Sequence, residues 1–251
     1  MTHNTKSAKI HFVASMIWTE VEECLASGAT AILPIGAGSK QHGLHMPMNT
    51  DQIQAEWFAA RLAETIDALI WPTVTYGTYP AFTAYSGSIS LSTLAFKALV
   101  TEIVEGLSAF GAKRVLLLNT GISTIEPLQR VVRNAQPGGF AELINLYAGP
   151  SYKKAVSRLR QQAHGSHADE IETSIMLAIA PELVAMNRAL SSPPLRNGPA
   201  AGPLNQTDPA SPNYSASGSL GDPTLATIEK GVLLRAAILE DLNAAASAAS
   251  H

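Results

Sequence analysis

Lys40, His42, His45 and Asp51 crowd into one short segment, TAILPIGAGSKQHGLHMPMNTD, running from Thr30 to Asp51. The segment joins an apolar run, a glycine turn and a cluster of potential ligands. In extended backbone, residues two apart point the same way, so Lys40 and His42 can address one point. A second cluster follows in HGSHADEIETS, with His167, Glu170 and Glu172 within six positions. Each residue also has an ordinary structural use. Asp51 with Gln54 three places on makes a capping box, and His42 and His45 can hydrogen-bond their own loop. Glu170 and Glu172 near a helix start favour the macrodipole. On a helix His167 and Glu170 share a face with Ser174 while Glu172 points elsewhere, a rule that weakens if His167 precedes the first turn.

The elements that must position these groups read as alternating strands and helices. Ala31–Ile35 is a buried strand closed by Gly36 and Gly38. Gln52 to Leu69 is an amphipathic helix carrying Ala55, Phe58, Ala59, Leu62 and Ile66, and Leu69–Val74 is the next strand. A loop rich in aromatics, Tyr76, Tyr79, Phe82 and Tyr85, then offers either pocket walls or loop pins in equal measure. Ser92 to Phe110 is a helix ended by Gly111, and Lys113–Asn119 is a strand of the buried parallel type. In α/β sheets ligands gather at the carboxyl ends of strands, which puts Asn119–Thr124 at the same rim as Lys40 and His42. Phe140–Leu146 is a further strand, 151–163 is helical, and an apolar helix runs through Met176 to about Pro181. A stretch crowded with Pro, Gly, Ser and Asn (191–223) forms a long arm, and a last helix runs on from Thr224.

With 251 residues, 46% hydrophobic and only 15% charged, the chain suits a single well-buried α/β domain over 1–251. The low charge fraction leaves surface for subunit contacts, hence an expected homo-oligomer. No Lys/Arg cluster occurs along the chain and the net charge is −3, so nucleic acid is excluded as a partner. Cys24 is the only cysteine and reads as a small, buried apolar residue. Without a disulfide framework, signal-peptide core or membrane-length apolar run, the expected location is the cytoplasm and no membrane partner is expected.

The order Gln41-His42-Gly43, His45, Pro47, Thr50, Asp51 resembles the opening signature of the creatininase (creatinine amidohydrolase) family, which reads EQHGxHLPLxTD. Tyr85–Leu91 is similar to that family's FPGTISL, and His167–Ser174 resembles HAGExETS with Asp169 for glycine. Ser217–Gly231 closely resembles SGVxGDPxxATxEKG, so the resemblance spans about Glu20 to Leu242. Two positions depart from the pattern. Lys40 stands where the family has a metal-binding glutamate, and Gly121 stands where the histidine of NGH binds metal.

The resemblance implies a three-layer αβα sandwich with a mainly parallel sheet, hexamers, and hydrolysis of a non-peptide C–N bond in a small, cyclic or compact amide. In the family pattern one metal is held by that glutamate, a shared aspartate and the NGH histidine. The other is held by the QHG histidine, the same aspartate and a further glutamate. Lys40 and Gly121 remove ligands of the first metal only, so the resemblance leaves His42, Asp51 and Glu170 to hold one divalent ion, Zn²⁺, Mn²⁺ or Fe²⁺. Lys40, His167 and Glu172 are then the catalytic candidates, with Lys40 steadying an oxyanion and His167 shuttling a proton. Two alternatives use the same residues differently. Lys40 could act as a base or Schiff-base lysine in a lyase or isomerase acting on a small carbonyl compound, or the chain could be a non-catalytic binding or assembly homologue.

Overall fold

A computed structural model describes residues 10–135, 140–192 and 203–248. Five strands form one parallel sheet in the order β1-β3-β2-β4-β5: β1 (His11–Phe12), β2 (Thr30–Ile35), β3 (Ala68–Ile70), β4 (Val115–Asn119) and β5 (Ala141–Asn145). The two central strands, β2 and β4, are buried along their whole length, as their unbroken apolar runs require.

Alternation along these strands sends side chains into two cores. Ala31, Leu33, Ile35, Val115 and Leu117 pack under α1 (Trp18–Ala26), α3 (Thr93–Ala109) and α4 (Ile125–Asn134). Ile32, Leu116 and Leu118 pack under α2 (Thr50–Leu62), α6 (Glu170–Ile179) and α7 (Ile228–Ala248). The result is the expected αβα sandwich. Cys24 is only partly buried, against the first core.

Several boundaries differ from the sequence reading. α2 stops at Leu62 instead of reaching Leu69, because Ala68–Ile70 pairs with β2 as a strand. The strand expected to reach Val74 ends at Ile70, leaving Val74 in an isolated bridge with Ile35. α7 starts at Ile228, since Pro223–Leu225 forms a separate 3₁₀ turn capped by the Asp222 carboxylate. Of the arm at 191–223, residues 193–202 lie outside the described residues; the rest is tied in by bridges of Asn205 to Tyr214 and of Leu220 to His167. No helix among the described residues is long and apolar enough to cross a membrane.

The absence of a Lys/Arg cluster also needs correction. α5 (Pro150–Leu159) carries Lys153, Lys154 and Arg158, is followed by Arg160, and contains no acid. Its N-terminus is fixed by the Asp241 carboxylate of α7, which accepts the Ser151 and Tyr152 N–H groups at 3.0 and 2.8 Å.

Candidate active site

The loop after β2 and the first turn of α2 form the floor of the site. At Gly36 a Cβ would fall 2.4 Å from the Asp51 backbone oxygen, so glycine lets the start of α2 lie directly against the strand end. The Gln52 N–H donates to the Ala37 carbonyl at 3.2 Å and fixes that approach. Gln41 fastens the loop from the other side: its Nε2 donates to the Gly218 carbonyl and its Oε1 accepts the Gly43 N–H, each at 2.8 Å. The family-like Ser217–Asp222 stretch thus acts on the site through backbone positions.

Asp51 lies inside the first turn of α2, whose N-cap is Asn49, and its carboxylate does not cap the helix. Instead it joins two groups. Oδ2 is 2.6 Å from Lys40 Nζ and Oδ1 is 3.1 Å from His42 Nε2. The pair is deeply buried, Lys40 at 6% and Asp51 at 1% exposure. Burial alone would raise the Asp51 carboxyl, but Lys40 and His42 outweigh it and hold it well below the usual carboxylate range. The rings of Tyr79 and Phe82 lie 5.4 and 5.1 Å from Nζ, so the ammonium sits between a carboxylate and two aromatic faces.

Both histidines have one ring nitrogen committed to the backbone of the same loop. His42 Nδ1 lies 2.8 Å from the Lys40 carbonyl and His167 Nε2 lies 2.9 Å from the Gln41 carbonyl. A carbonyl only accepts, so each of these nitrogens carries a proton, and the other ring nitrogens, His42 Nε2 and His167 Nδ1, turn toward the acids. His42 Nε2 faces Asp51 Oδ1 at 3.1 Å and Glu172 Oε1 at 3.8 Å; His167 Nδ1 faces Glu172 Oε2 at 3.8 Å. His167 Nδ1 and the Glu172 carboxylate, two acceptors that face each other, need a proton or a metal ion between them. Ligand atoms of His42, His167 and Glu172 lie within 4.8 Å of one another, and backbone-oriented imidazoles of this kind are the usual support of a metal centre. Burial, then Lys40 and His42, hold the His167 pKa well below its ordinary value, so its Nδ1 is unprotonated at neutral pH.

The two glutamates face different ways, Glu172 toward the histidines and Glu170 toward Lys230. Glu170, expected as a metal ligand, turns away from the site. Its carboxylate accepts the Gln161 N–H at 2.9 Å and the Gln162 N–H at 2.7 Å and pairs with Lys230 at 2.5 Å. The physical cause is where the helix starts. Asp169 caps α6 by accepting the Ile171 and Glu172 N–H groups at 3.0 Å, so His167 lies before the helix and the three-residue face rule does not apply to it. Ala168, with φ 45°, reverses the chain and gives its N–H to Glu172 Oε2 at 2.6 Å, which brings Glu172 back to the histidines. Burial, with help from Asp51, raises the Glu172 carboxyl.

His45 is a structural residue, buried with Nε2 2.8 Å from Thr173 Oγ1, and burial followed by His42 pushes its pKa down to about 4. Gly121 has its backbone N–H on Asn119 Oδ1 and its carbonyl on Asn119 Nδ2. A Cβ there would meet Thr124 Oγ1 at 2.6 Å and the Tyr79 ring at 3.4 Å, so this position points at the aromatic cage of Lys40.

Above the floor opens a cleft of about 790 Å³. Phe82 and Ile122 line one side, Tyr152, Val156 and Arg160 of the α5 segment the other, and Lys40, Asp51, His167 and Glu172 reach it from below. Phe82 packs on His167 at 4.3 Å between ring centroids, so one aromatic touches both His167 and the Lys40 ammonium. Of the aromatics flagged in the sequence, Tyr79 and Phe82 therefore border the site, whereas Tyr85 pins a loop through its hydroxyl to the Ser215 carbonyl at 2.6 Å.

Residues 14–246 match the family model described as creatinine amidohydrolase. The chain is 28% identical over 245 residues to creatinine amidohydrolase of Pseudomonas putida, covering 90% of this chain and 92% of that protein. It is 27% identical over 228 residues to the mycofactocin precursor peptide peptidase of Mycobacterium ulcerans (strain Agy99), covering 84% and 81%. Among solved structures it is similar to one titled "Creatininase Mn" (TM-score 0.80, 25% identity, 94% of this chain and 97% of that one). A creatininase variant of "Zn-Zn type" gives a TM-score of 0.79 at 26% identity, with the same coverage. A match over nearly the whole chain, with the same sandwich beneath it, means that this protein belongs to the creatininase family of amidohydrolases.

Proposed function

We propose that this protein is a metal-dependent hydrolase of a non-peptide amide C–N bond, working with one divalent ion and with the Lys40 ammonium in place of a second. The reading is carried by Asp51, which offers one oxygen to Lys40 and the other to the His42 side of the site. His42 and Glu172, whose ligand atoms lie with that of His167 within 4.8 Å of one another, would hold the ion, joined by Asp51 Oδ1, which lies 3.1 Å from His42 Nε2; this one-histidine, two-carboxylate set suits Zn²⁺, Mn²⁺ or Fe²⁺. Glu172 thereby takes the ligand role that the resemblance gave to Glu170. The metals named in the titles of the similar structures, Mn and Zn, fall within that range.

When bound, such an ion supplies Lewis acidity, polarising a carbonyl and making water more acidic. The protein's own groups do the rest. Lys40, fixed by Asp51 and flanked by Tyr79 and Phe82, presents a cation to the oxygen on which charge develops. His167 Nδ1, unprotonated and facing the cleft, accepts the proton of the attacking water and returns it to the departing nitrogen. Phe82 limits the access of water to both.

The substrate is a small molecule with an amide bond. By their names the mycofactocin relatives act on a precursor peptide, and a cleft of about 790 Å³ has room for more than a compact cyclic amide, which favours peptide-like amides as the second reading. The test is to strip the protein with chelator, reload it separately with Zn²⁺, Mn²⁺ and Fe²⁺, and follow amine release from cyclic and acyclic amides. Turnover that requires one of these ions is expected; no cleavage of any amide under any loading would refute the hydrolase.

Self-association belongs to the same proposal, and a hexamer is the state the resemblance implies. Trp18, Leu94 and Phe110 are each about three-quarters exposed, apolar surface that subunit contacts would cover. Sedimentation at micromolar concentration is expected to show a species larger than 251 residues allow; a lone monomer would remove the idea.

A further inference from the structure

We infer that the substrate carries a carboxylate, which Lys153 and Arg160 of the α5 segment recognise. The inference rests on the hydrolase reading for the position of the amide, but its charge argument stands apart from the metal.

The charged groups of the cleft divide into those already matched and those left over. Lys40 and Asp51 neutralise each other at 2.6 Å. Asp169 is consumed as the cap of α6 and by Gln162 Nε2, which donates to it at 2.6 Å. Glu172 faces the two histidines. Lys153 and Arg160 also line the cleft, and among the described residues neither side chain makes an ion pair within 4 Å or a hydrogen bond. Arg160 acts electrostatically on Asp169, which is already hydrogen-bonded. Lys153 and Arg160 are therefore, among the described residues, the charged groups of the cleft that no side-chain partner holds, and a divalent ion at the floor would offset Glu172.

The placement is directional. All four cations are exposed, but Lys153, Val156, Ser157 and Arg160 recur at helical spacing and line the cleft, while Lys154 and Arg158 do not. The two cations are seven positions apart, Arg160 standing just past the end of α5, which corresponds to roughly 10 Å of helix rise at about 1.5 Å per residue. Tyr152 and Val156 fill the space beside them with apolar surface. An amide with an apolar body and a carboxylate at one end matches this wall, and Arg160 can grip a carboxylate through two parallel N–H bonds. A neutral cyclic amide would use none of it.

N-benzoylglycine, an amide bearing a carboxylate, and its neutral methyl ester form a suitable probe pair, with affinity for the purified protein read by calorimetry. Wild type is expected to prefer the acid by about tenfold or more, the value of one charge-assisted contact. The double variant Lys153→Ala/Arg160→Ala should bring the ratio close to one. Lys154→Ala/Arg158→Ala, which removes the same charge from the outer face of the same helix, should leave it near the wild-type value. No preference in wild type, a ratio that survives Lys153→Ala/Arg160→Ala, or an equal loss in the outer pair would each overturn the inference. Because binding is read without turnover, a protein that prefers the acid yet cleaves no amide would sink the hydrolase and leave the carboxylate site standing.

Discussion

Lys40→Ala is expected to lower kcat about 10²-fold or more on the true substrate, the loss typical of one preorganised electrostatic group. It should also cost stability, because Asp51 would stay buried beside His42 without its counter-ion; breaking a buried pair costs about 3–5 kcal/mol. The two effects separate on a melting curve run beside the assay at a temperature where the variant is folded. Lys40→Glu alone should not create a second metal position, since Gly121 brings no ligand. Adding Gly121→His requires Thr124 to move, because its Oγ1 lies 2.6 Å from where the new Cβ would stand. Borohydride added during turnover should trap nothing at Lys40, because charge stabilisation leaves no imine to reduce. A trapped adduct would favour the Schiff-base lyase, and a fully active Lys40→Ala would dismiss both roles of the lysine.

Glu172→Gln is expected to lower metal affinity by more than the 10–100-fold typical of losing a supporting residue, and activity with it. Glu170→Gln should act differently. It leaves Lys230 facing a neutral amide in a buried setting, so it should destabilise the protein by a few kcal/mol, of the order of about 3–5, and leave metal affinity near wild type. Metal titration and thermal melting of the two variants, run side by side, check this crossed pattern. Loss of metal in Glu170→Gln, with Glu172→Gln still binding normally, would return the ligand role to Glu170.

That contrast marks where the sequence was legible. β2 and β4 could be read because an unbroken apolar run has one use in a sandwich, and the helix read from Ser92 to Phe110 was legible because Gly111 ends it; Ser92 itself is its N-cap, its hydroxyl accepting the Ala95 N–H. Lys40 and Gly121 stood out as departures from a pattern, and the structure sets both beside the Tyr79 ring. The choice between Glu170 and Glu172 was not legible from spacing, because it depends on the residue at which α6 begins. The Asp169 cap, with Glu172 three places on, was the available signal. Asp51 was ambiguous for a related reason: a capping box and a carboxylate serving Lys40 and His42 are written with the same letters. The role of α5 was hidden because a basic helix reads as solvated surface until its neighbours show which cations face the cleft.

The central claim is that Lys40 occupies the place of one cation and leaves room for one metal ion. Metal content of the purified protein after equilibration with excess Zn²⁺ or Mn²⁺ and removal of loosely bound ion, measured by plasma mass spectrometry against protein concentration, tests it most directly. One tightly held equivalent per chain, lost on Glu172→Gln, is the expected result. Two equivalents in wild type would mean that Lys40 does not displace a metal, and finding none would contradict a metal centre at the converging His42, His167 and Glu172.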